Sequence, residues 1–107
     1  MGIYDTLKKT GLPCAYSHFK KPQKPPYIVY IGNGQNQSKA DNTIYWRENT
    51  YQVEYYFKTK DEAKESLVEQ TLLDDGWLFE KSEDVYLSDD DVFLIYYYTT
   101  KGAKSNG

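Results

Sequence analysis

The sequence predicts a single α+β domain, in which a mainly antiparallel sheet carries one main helix on one face and a short N-terminal helix at its edge. The 107 residues suffice for one domain with a modest core. Residues 51–57 place Tyr, Val, Tyr and Phe at alternate positions, which is typical of a strand with one buried face. Residues 60–75 follow with apolar side chains at helical spacing, so this strand leads directly into a helix that can lie on it. We assign the domain to residues 1–100.

The elements before the central strand are predicted to be a short helix and two strands. Residues 3–10 fit a helix, with Gly11 as its C-terminal stop. A short strand is expected within residues 14–19. The loop after it holds three Pro and three Lys in residues 20–26. The apolar run Tyr-Ile-Val-Tyr-Ile at residues 27–31 then predicts an inner strand.

A long exposed loop is predicted over residues 32–42, because this stretch is polar, has no aromatic residue and has Ala40 as its one apolar side chain. Loops of this length in compact domains are usually functional or mobile. Residues 43–47 are expected to form a strand, and residues 48–49 a two-residue turn into the central strand. The loop side chains that we consider candidates for contact with a partner are Asn33, Gln35, Asn36, Gln37, Asp41 and Asn42.

The main helix is predicted over residues 60–75, with Gly76 ending it. Thr59 and Glu62 fit a capping box, in which each side chain satisfies a backbone N–H group near the helix start. An apolar face is expected to pack on the sheet, and it consists of Ala63, Leu67, Val68 and Leu72. The acidic side chains are expected to stay in water, at Glu62, Glu65, Glu69 and Asp74.

The chain is predicted to finish with a hairpin whose strands lie in residues 77–87 and 92–100, followed by a disordered polar tail at residues 101–107. The last strand is apolar on both faces, so it is either covered on both sides or used by a partner. Its candidate subunit-contact residues are Phe93, Tyr96 and Tyr98.

Composition and charge also point to contacts with other molecules. The chain has twelve Tyr, a residue that suits half-buried sheets and interfaces because its ring can be buried while its hydroxyl stays wet. Residues 1–60 hold nine Lys or Arg against four Asp or Glu, whereas residues 61–107 hold four against twelve. This asymmetry indicates either complementary faces that let copies meet head to tail, or acidic residues that only solvate one helix and one hairpin.

Chemistry-bearing motifs are sparse, and we expect neither catalysis, nor a cofactor, nor a metal. Cys14 and His18 would lie roughly 13 Å apart along a strand, too far for a nucleophile–base pair. The acidic run at residues 89–91 lacks the spaced ligands of a calcium loop. There is no phosphate loop, dinucleotide fingerprint or nucleophile elbow. No stretch has the length of a signal peptide's apolar run or of a membrane span, so we expect a soluble intracellular product without membrane contact.

Single-stranded nucleic acid could stack on the aromatic runs at residues 55–57 and 96–98. The glycine-containing aromatic signature of RNA-recognition sheets is absent, and the acidic second half would repel phosphates. Nucleic-acid binding is therefore the weaker expectation.

The order of these features resembles a known family. A short N-terminal helix precedes the strand entered from Pro25-Pro26-Tyr27, and a polar loop contains Ala40-Asp41-Asn42. The aromatic strand at residues 51–56, the helix opening Lys60-Asp61-Glu62, the strand at residues 77–81 and a last aromatic strand follow. The pattern is similar to that of small tail-completion and tail-terminator proteins, which long-tailed bacteriophages and prophages of low-GC bacteria encode in their head–tail joining clusters.

The resemblance implies a non-catalytic virion subunit that assembles into a ring, commonly of six copies, at the head-facing end of the tail. Such a ring would end growth of the tail tube and offer a surface to the head connector. It would assemble in the bacterial cytoplasm and remain in the virion. The alternative that the residues leave open is a monomeric, aromatic-faced binding module for single-stranded nucleic acid or a peptide.

Overall fold

The computed structural model describes the backbone of residues 2–39 and 45–105, and the side chains of residues 2–33 and 50–101. In this part of the chain, two helices and six strands form one α+β domain with a mainly antiparallel sheet, which confirms the predicted fold class. In chain order the elements are α1 (Ile3–Lys8), β1 (Cys14–Tyr16), β2 (Tyr27–Lys39), β3 (Tyr45–Phe57), α2 (Glu62–Asp74), β4 (Leu78–Lys81), β5 (Val85–Leu87) and β6 (Val92–Ser105).

The sheet is built around two long strands. Its order is β1-β2-β3-β6-β4, and β5 pairs with the start of β6. β1 runs parallel to β2, and every other pair is antiparallel. β3 and β6 pair continuously from Tyr45↔Ser105 to Phe57↔Phe93. Along its whole length, this unbroken ladder satisfies the backbone groups that the two strands direct toward each other.

Both helices contribute to a core on one side of the sheet, which we call the helix face. Leu7 of α1 and Val68 and Leu72 of α2 are fully buried there against Val53 of β3 and Ile95 of β6. Burying each such side chain contributes on the order of 1.5–3 kcal/mol before entropy costs. The core therefore holds the helices and the middle of the sheet together.

The ends of α1 and β1 differ slightly from the predictions. α1 ends at Lys8, and Gly11 takes the positive φ of 78° expected of a glycine after a helix. β1 ends at Tyr16 because Ser17, with φ 67°, turns the chain away from the sheet. The predicted C-terminal hairpin is present, but its first arm is divided into β4 and β5 by residues 82–84.

Two predictions about α2 were wrong. Asp61, not Thr59, is its N-cap, because Oδ1 of Asp61 accepts hydrogen bonds from the backbone N–H groups of Ala63 at 3.1 Å and Lys64 at 3.2 Å. The buried face also differs: Val68 and Leu72 are buried as predicted, but Ala63 is exposed and Leu67 is 43% exposed.

Glu65 lies on the buried face of α2, where the apolar pattern predicted apolar residues. Glu65 is only 3% exposed, although the sequence predicted that its side chain would lie in water. The spacing of Glu65, Val68 and Leu72 follows a helical face equally well. Burial of this carboxylate is possible because Lys60 lies 2.8 Å and Lys81 3.0 Å from its oxygens.

The loop predicted over residues 32–42 is mostly a strand. β2 continues to Lys39, and β3 starts at Tyr45 and runs through residues 48–49 without the predicted turn. Their register shifts between Gly32 and Gln35, which marks a bulge or irregularity. Backbone pairing with β3 makes this polar segment a strand, and such pairing needs no apolar side chains. Residues 40–44 lie outside the described residues.

The predicted disordered tail is also a strand over most of its length. β6 extends to Ser105, and its residues 101–105 pair with residues 45–49 of β3. The residues here are small or polar, so backbone pairing with β3, and not an apolar pattern, accounts for the strand. Residues 106–107 lie outside the described residues.

Candidate functional site

Three strands extend past the rest of the sheet and form what we call the ribbon: residues 31–39 of β2, 45–51 of β3 and 101–105 of β6. β1 pairs with β2 only as far as Tyr30, and β4 pairs with β6 only as far as Thr100. The longest dimension of the molecule, 51 Å, matches such an extension. On the edges that face away from β3, the described structure places no strand beside residues 31–39 of β2 or residues 102–105 of β6.

The sheet side opposite the helices is the open face. Alternate strand residues point to it, and both helices bury their apolar side chains in the core on the other side. Register places three rows of side chains across this face: Tyr27–Tyr56–Leu94, then Val29–Glu54–Tyr96, then Ile31–Gln52–Tyr98 with Glu80 beside Tyr98. Tyrosine and acidic side chains therefore dominate its centre.

Two of the predicted contact residues meet on the open face. The rings of Tyr96 and Tyr98 stack with centroids 5.9 Å apart at 10°, and Tyr98 is 41% exposed. A second stacked pair, Tyr27 and Tyr56, has centroids 4.8 Å apart at 19°. Stacking holds these rings in defined positions, so the face offers rigid aromatic area to a partner at little entropic cost.

Glu54 lies between the two stacked pairs. Its Oε1 accepts a 2.6 Å hydrogen bond from the hydroxyl of Tyr56, and its Oε2 accepts one of 2.7 Å from Nε2 of Gln52. Burial and the Glu54 carboxylate both raise the pKa of Tyr56, and the same two causes raise the pKa of Tyr96. Glu54 thus places a negative charge beside Tyr56 and Tyr96.

Phe93 does not share this surface. It lies on the helix face, half-buried, with its ring stacked on Phe57 at 5.4 Å and 16° and close to Tyr86 at 5.1 Å. Its neighbours belong to the core cluster or to β5. Phe93 and the pair Tyr96–Tyr98 are therefore separate candidates on opposite faces.

The candidate contact residues of the predicted loop do not lie together in the structure. Asn33 is exposed and lines an open groove of about 510 Å³ with Leu78, Glu80, Tyr98 and Thr100. Gln35, Asn36 and Gln37 are ribbon positions of β2, paired in register with Asn49, Glu48 and Arg47. Asp41 and Asn42 lie outside the described residues.

Sequence reasoning missed three surface residues. Leu78 is 67% exposed and Ile31 37% exposed, and both lie on the open face near Tyr98. Glu54 was expected to point away from the core, but its position among tyrosines depends on register between distant strands. For Glu54, the alternation of polar and apolar residues along its strand could have indicated a surface position. For Leu78, no sequence pattern indicated one.

A second groove, of about 460 Å³, lies at the other end of the open face, where the segment after β1 packs on Tyr27 and Tyr56. Phe19 contacts the Tyr27 ring edge-on at 5.3 Å. Its walls carry charges of both signs, with Lys20 and Lys21 on one side and Asp90 on the other. The groove has no predominant charge that would select a ligand.

A polar network on the helix face joins α2 to the sheet. Lys81 pairs with both Glu65 at 3.0 Å and Glu69 at 2.8 Å, and the hydroxyl of Tyr97 donates a 2.8 Å hydrogen bond to Glu69. Burial opposes the charge of Lys81, but the two carboxylates outweigh it and raise the pKa of Lys81. These groups mainly satisfy one another, which is the arrangement of a structural network rather than of a site awaiting substrate.

Cys14 and His18 are not brought together. Cys14 packs against the core on the helix face, where burial raises the pKa of its thiol. His18 is exposed in the groove of the open face, with Nδ1 3.2 Å from Oγ of Ser17. Among the described residues, no three His, Cys, Asp or Glu side chains are grouped so that they could hold a metal ion. Neither described helix is long and apolar enough to cross a membrane.

Comparison with protein-family models and with curated proteins finds no match for this chain. The candidate site therefore rests on its geometry: a ribbon with two open edges, and an open face of stacked tyrosines around carboxylates.

Proposed function

We propose that this chain is a non-catalytic structural subunit that assembles with copies of itself through the edges of the ribbon. The observation that carries the proposal is the pair of strand edges without a partner strand among the described residues, residues 31–39 of β2 and 102–105 of β6. Such edges present N–H and C=O groups that can pair with another chain. Nine residues of β2 correspond to an edge of about 30 Å.

The geometry of the two edges favours contacts between different surfaces of neighbouring copies. β2 and β6 border opposite sides of β3, and both run antiparallel to it, so they run parallel to each other. Rotation about an axis along the strands would bring β6 of one copy beside β2 of the next, in parallel. Head-to-tail contacts of this kind close into a ring when the rotation closes.

The sequence of the β2 edge supports this use. Residues 32–38 contain no charged residue and no Pro, two of the devices by which natural sheets block edge pairing. The sequence predicts residues 32–42 as a loop whose side chains contact a partner. Since residues 32–39 are strand, the proposal assigns them to contacts between copies instead.

The particular role that we propose is tail completion or termination in a long-tailed bacteriophage. Its support is the resemblance in the order of sequence features together with the α+β domain and open-edged ribbon. In this role a ring, commonly of six copies, ends tail-tube growth, and its partners are the tail-tube protein and the head connector. The protein assembles in the bacterial cytoplasm and stays in the virion.

Shortening the ribbon tests self-assembly. In the shortened variant, an Asn-Gly turn replaces residues 36–48 and joins Gln35 to Asn49, its register partner on β3. The variant chain ends at Lys101, which is the register partner of Asn49 on β6. The core cluster lies outside the deleted residues, so circular dichroism should show a folded domain. Light scattering after size exclusion and negative-stain microscopy should show rings for the full chain and monomers for the shortened one.

A variant that lacks only residues 106–107 is the matched control, and it should still form rings. Equal assembly by the shortened variant would exclude the ribbon as the contact. A full chain that stays monomeric at high concentration would contradict self-assembly itself, and open filaments would contradict a closed ring.

The second candidate function is a monomeric binding module for single-stranded nucleic acid or a peptide. The stacked Tyr96–Tyr98 pair on a face without a helix supports it. Glu54 and Glu80 beside that pair disfavour phosphates, so a peptide is the better ligand of the two. A monomeric full chain that binds an oligothymidylate in fluorescence anisotropy would favour nucleic acid.

A further inference from the structure

The centre of the open face combines aromatic rings with carboxylates that form no ion pair with any described residue. We define the Tyr–Glu patch as Glu54, Glu80, Tyr96 and Tyr98. Register places Glu54 directly beside Tyr96, and Glu80 directly beside Tyr98. The stacked tyrosine pair is therefore flanked by a carboxylate on each side.

Neither carboxylate of the patch is neutralised within the described part of the chain. Lys9, Lys58, Lys60 and Lys81 all form ion pairs, but with acids elsewhere in the fold. The hydrogen bonds that Glu54 accepts come from Tyr56 and Gln52, which are neutral donors. Two carboxylates without an ion-pair partner among the described residues thus lie beside the stacked tyrosines.

Exposed apolar side chains border the patch. Leu78 and Ile31 extend from the neighbouring strands, and Leu78 forms part of the same open groove as Glu80 and Tyr98. Large exposed side chains around a shaped polar centre are typical of a protein-contact surface. Cations are attracted to the faces of tyrosine rings, and Arg also stacks on them.

We propose that the Tyr–Glu patch binds an arginine- or lysine-bearing extended segment of a partner protein, with the cation on the Tyr96–Tyr98 pair between Glu54 and Glu80. The carboxylates neutralise the cation, and Leu78 and Ile31 contact the apolar part of the segment. Charge complementarity favours a cationic segment as the ligand, because the same two carboxylates would repel the phosphates of a nucleic acid. The proposal goes beyond self-assembly through the ribbon, since none of the four patch residues belongs to a free strand edge and, of the two flanking apolar residues, only Ile31 does.

A labelled peptide provides the test. The probe is the capped pentapeptide Gly-Arg-Gly-Arg-Gly, and its matched control replaces each Arg with citrulline, which has the same shape without the charge. Fluorescence anisotropy should show binding of the arginine peptide and at least tenfold weaker binding of the citrulline peptide. Added salt should weaken the arginine peptide's binding, because the contact is an exposed charge interaction.

Substitutions locate the binding. The double variant E54Q/E80Q should weaken binding of the arginine peptide at least tenfold, while E62Q, an exposed acid at the start of α2, should leave it unchanged. Glu54→Gln could disturb folding because Glu54 accepts a hydrogen bond from Tyr56. In that case the single variants Glu80→Gln and Tyr98→Leu, both at exposed residues, provide the test. Each should weaken binding of the arginine peptide severalfold.

Three outcomes would overturn the proposal. They are absence of arginine-peptide binding, equal binding of the citrulline peptide, and unchanged binding by the patch variants. Tighter binding of an oligothymidylate than of the arginine peptide would also overturn it, in favour of a nucleic-acid surface. None of these results depends on whether the ribbon forms rings, so the two proposals fail independently.

Discussion

Lys9 and Asp75 connect the ends of the two helices, with Nζ of Lys9 2.9 Å from both carboxylate oxygens of Asp75. The hydroxyl of Thr6 adds a 2.7 Å hydrogen bond to Oδ2 of the same carboxylate. These hydrogen bonds hold the pKa of Asp75 below its usual value. The contact fixes α1 against the end of α2 and so helps to define which side of the sheet is covered.

Acid should weaken this connection. Because the pKa of Asp75 is lower in the folded state, its contribution to stability is present above the unfolded-state pKa of about 3.9 and is lost as the pH falls through the folded value. Urea unfolding between pH 7 and pH 2, followed by circular dichroism, should therefore show a smaller acid-induced loss of stability for Asp75→Asn than for the native chain. Identical profiles for Asp75→Asn and the native chain would contradict the assignment.

Leu72 and Leu67 form a matched pair for testing which face of α2 is buried. Leu72→Ala should lower the free energy of unfolding by about 2–5 kcal/mol, because it leaves a cavity in the core. Leu67→Ala should change it by less than about 0.5 kcal/mol, because this side chain is largely exposed. Denaturant unfolding of both variants measures the difference. A larger loss for Leu67→Ala would place α2 in the rotation that the apolar pattern alone suggested.

Tyr55 should make the fold sensitive to alkali. Burial, aided by Glu65 and Asp61, raises its pKa to about 12, and its buried hydroxyl has no hydrogen-bond partner in the described structure. A raised folded-state pKa means that the stability is complete below the unfolded-state pKa of about 10 and is lost as the pH rises through about 12. Tyr55→Phe should therefore unfold at higher pH than the native chain and be at least as stable at pH 7. Alkaline titration followed by phenolate absorbance and circular dichroism measures both, and earlier unfolding of the variant would refute this role.

Local sequence patterns located most of the elements. Alternation in residues 51–57 placed Val53, Tyr55 and Phe57 in the core, and all three are buried. The apolar run at residues 27–31 is part of an inner strand, and Gly11 has the backbone conformation expected after a helix. These features depend on side-chain periodicity and on the backbone preferences of single residues. Both can be recognised within a short stretch of sequence.

The errors share a physical cause. Residues 32–39 and 101–105 look like loop and tail because they are polar, yet backbone pairing with β3 makes them strands. The buried face of α2 was misjudged because a carboxylate can be buried when lysines from other segments, here Lys60 and Lys81, neutralise it. In each case the deciding partner lies outside the element in question, so the pattern within that element could not reveal it.

The sequence by itself determined the α+β class, the locations of both helices and of the central strand, and the aromatic, two-faced character of the last strand, because propensity and periodicity are local properties. Tertiary structure decided which tyrosines share a surface. Only the register of β3, β6 and β4 brings Glu54 and Glu80 beside Tyr96 and Tyr98, and only the packing of both helices on the other side leaves that surface open. Register and packing are set by contacts between residues far apart in the chain, where the sequence carries no periodic signal.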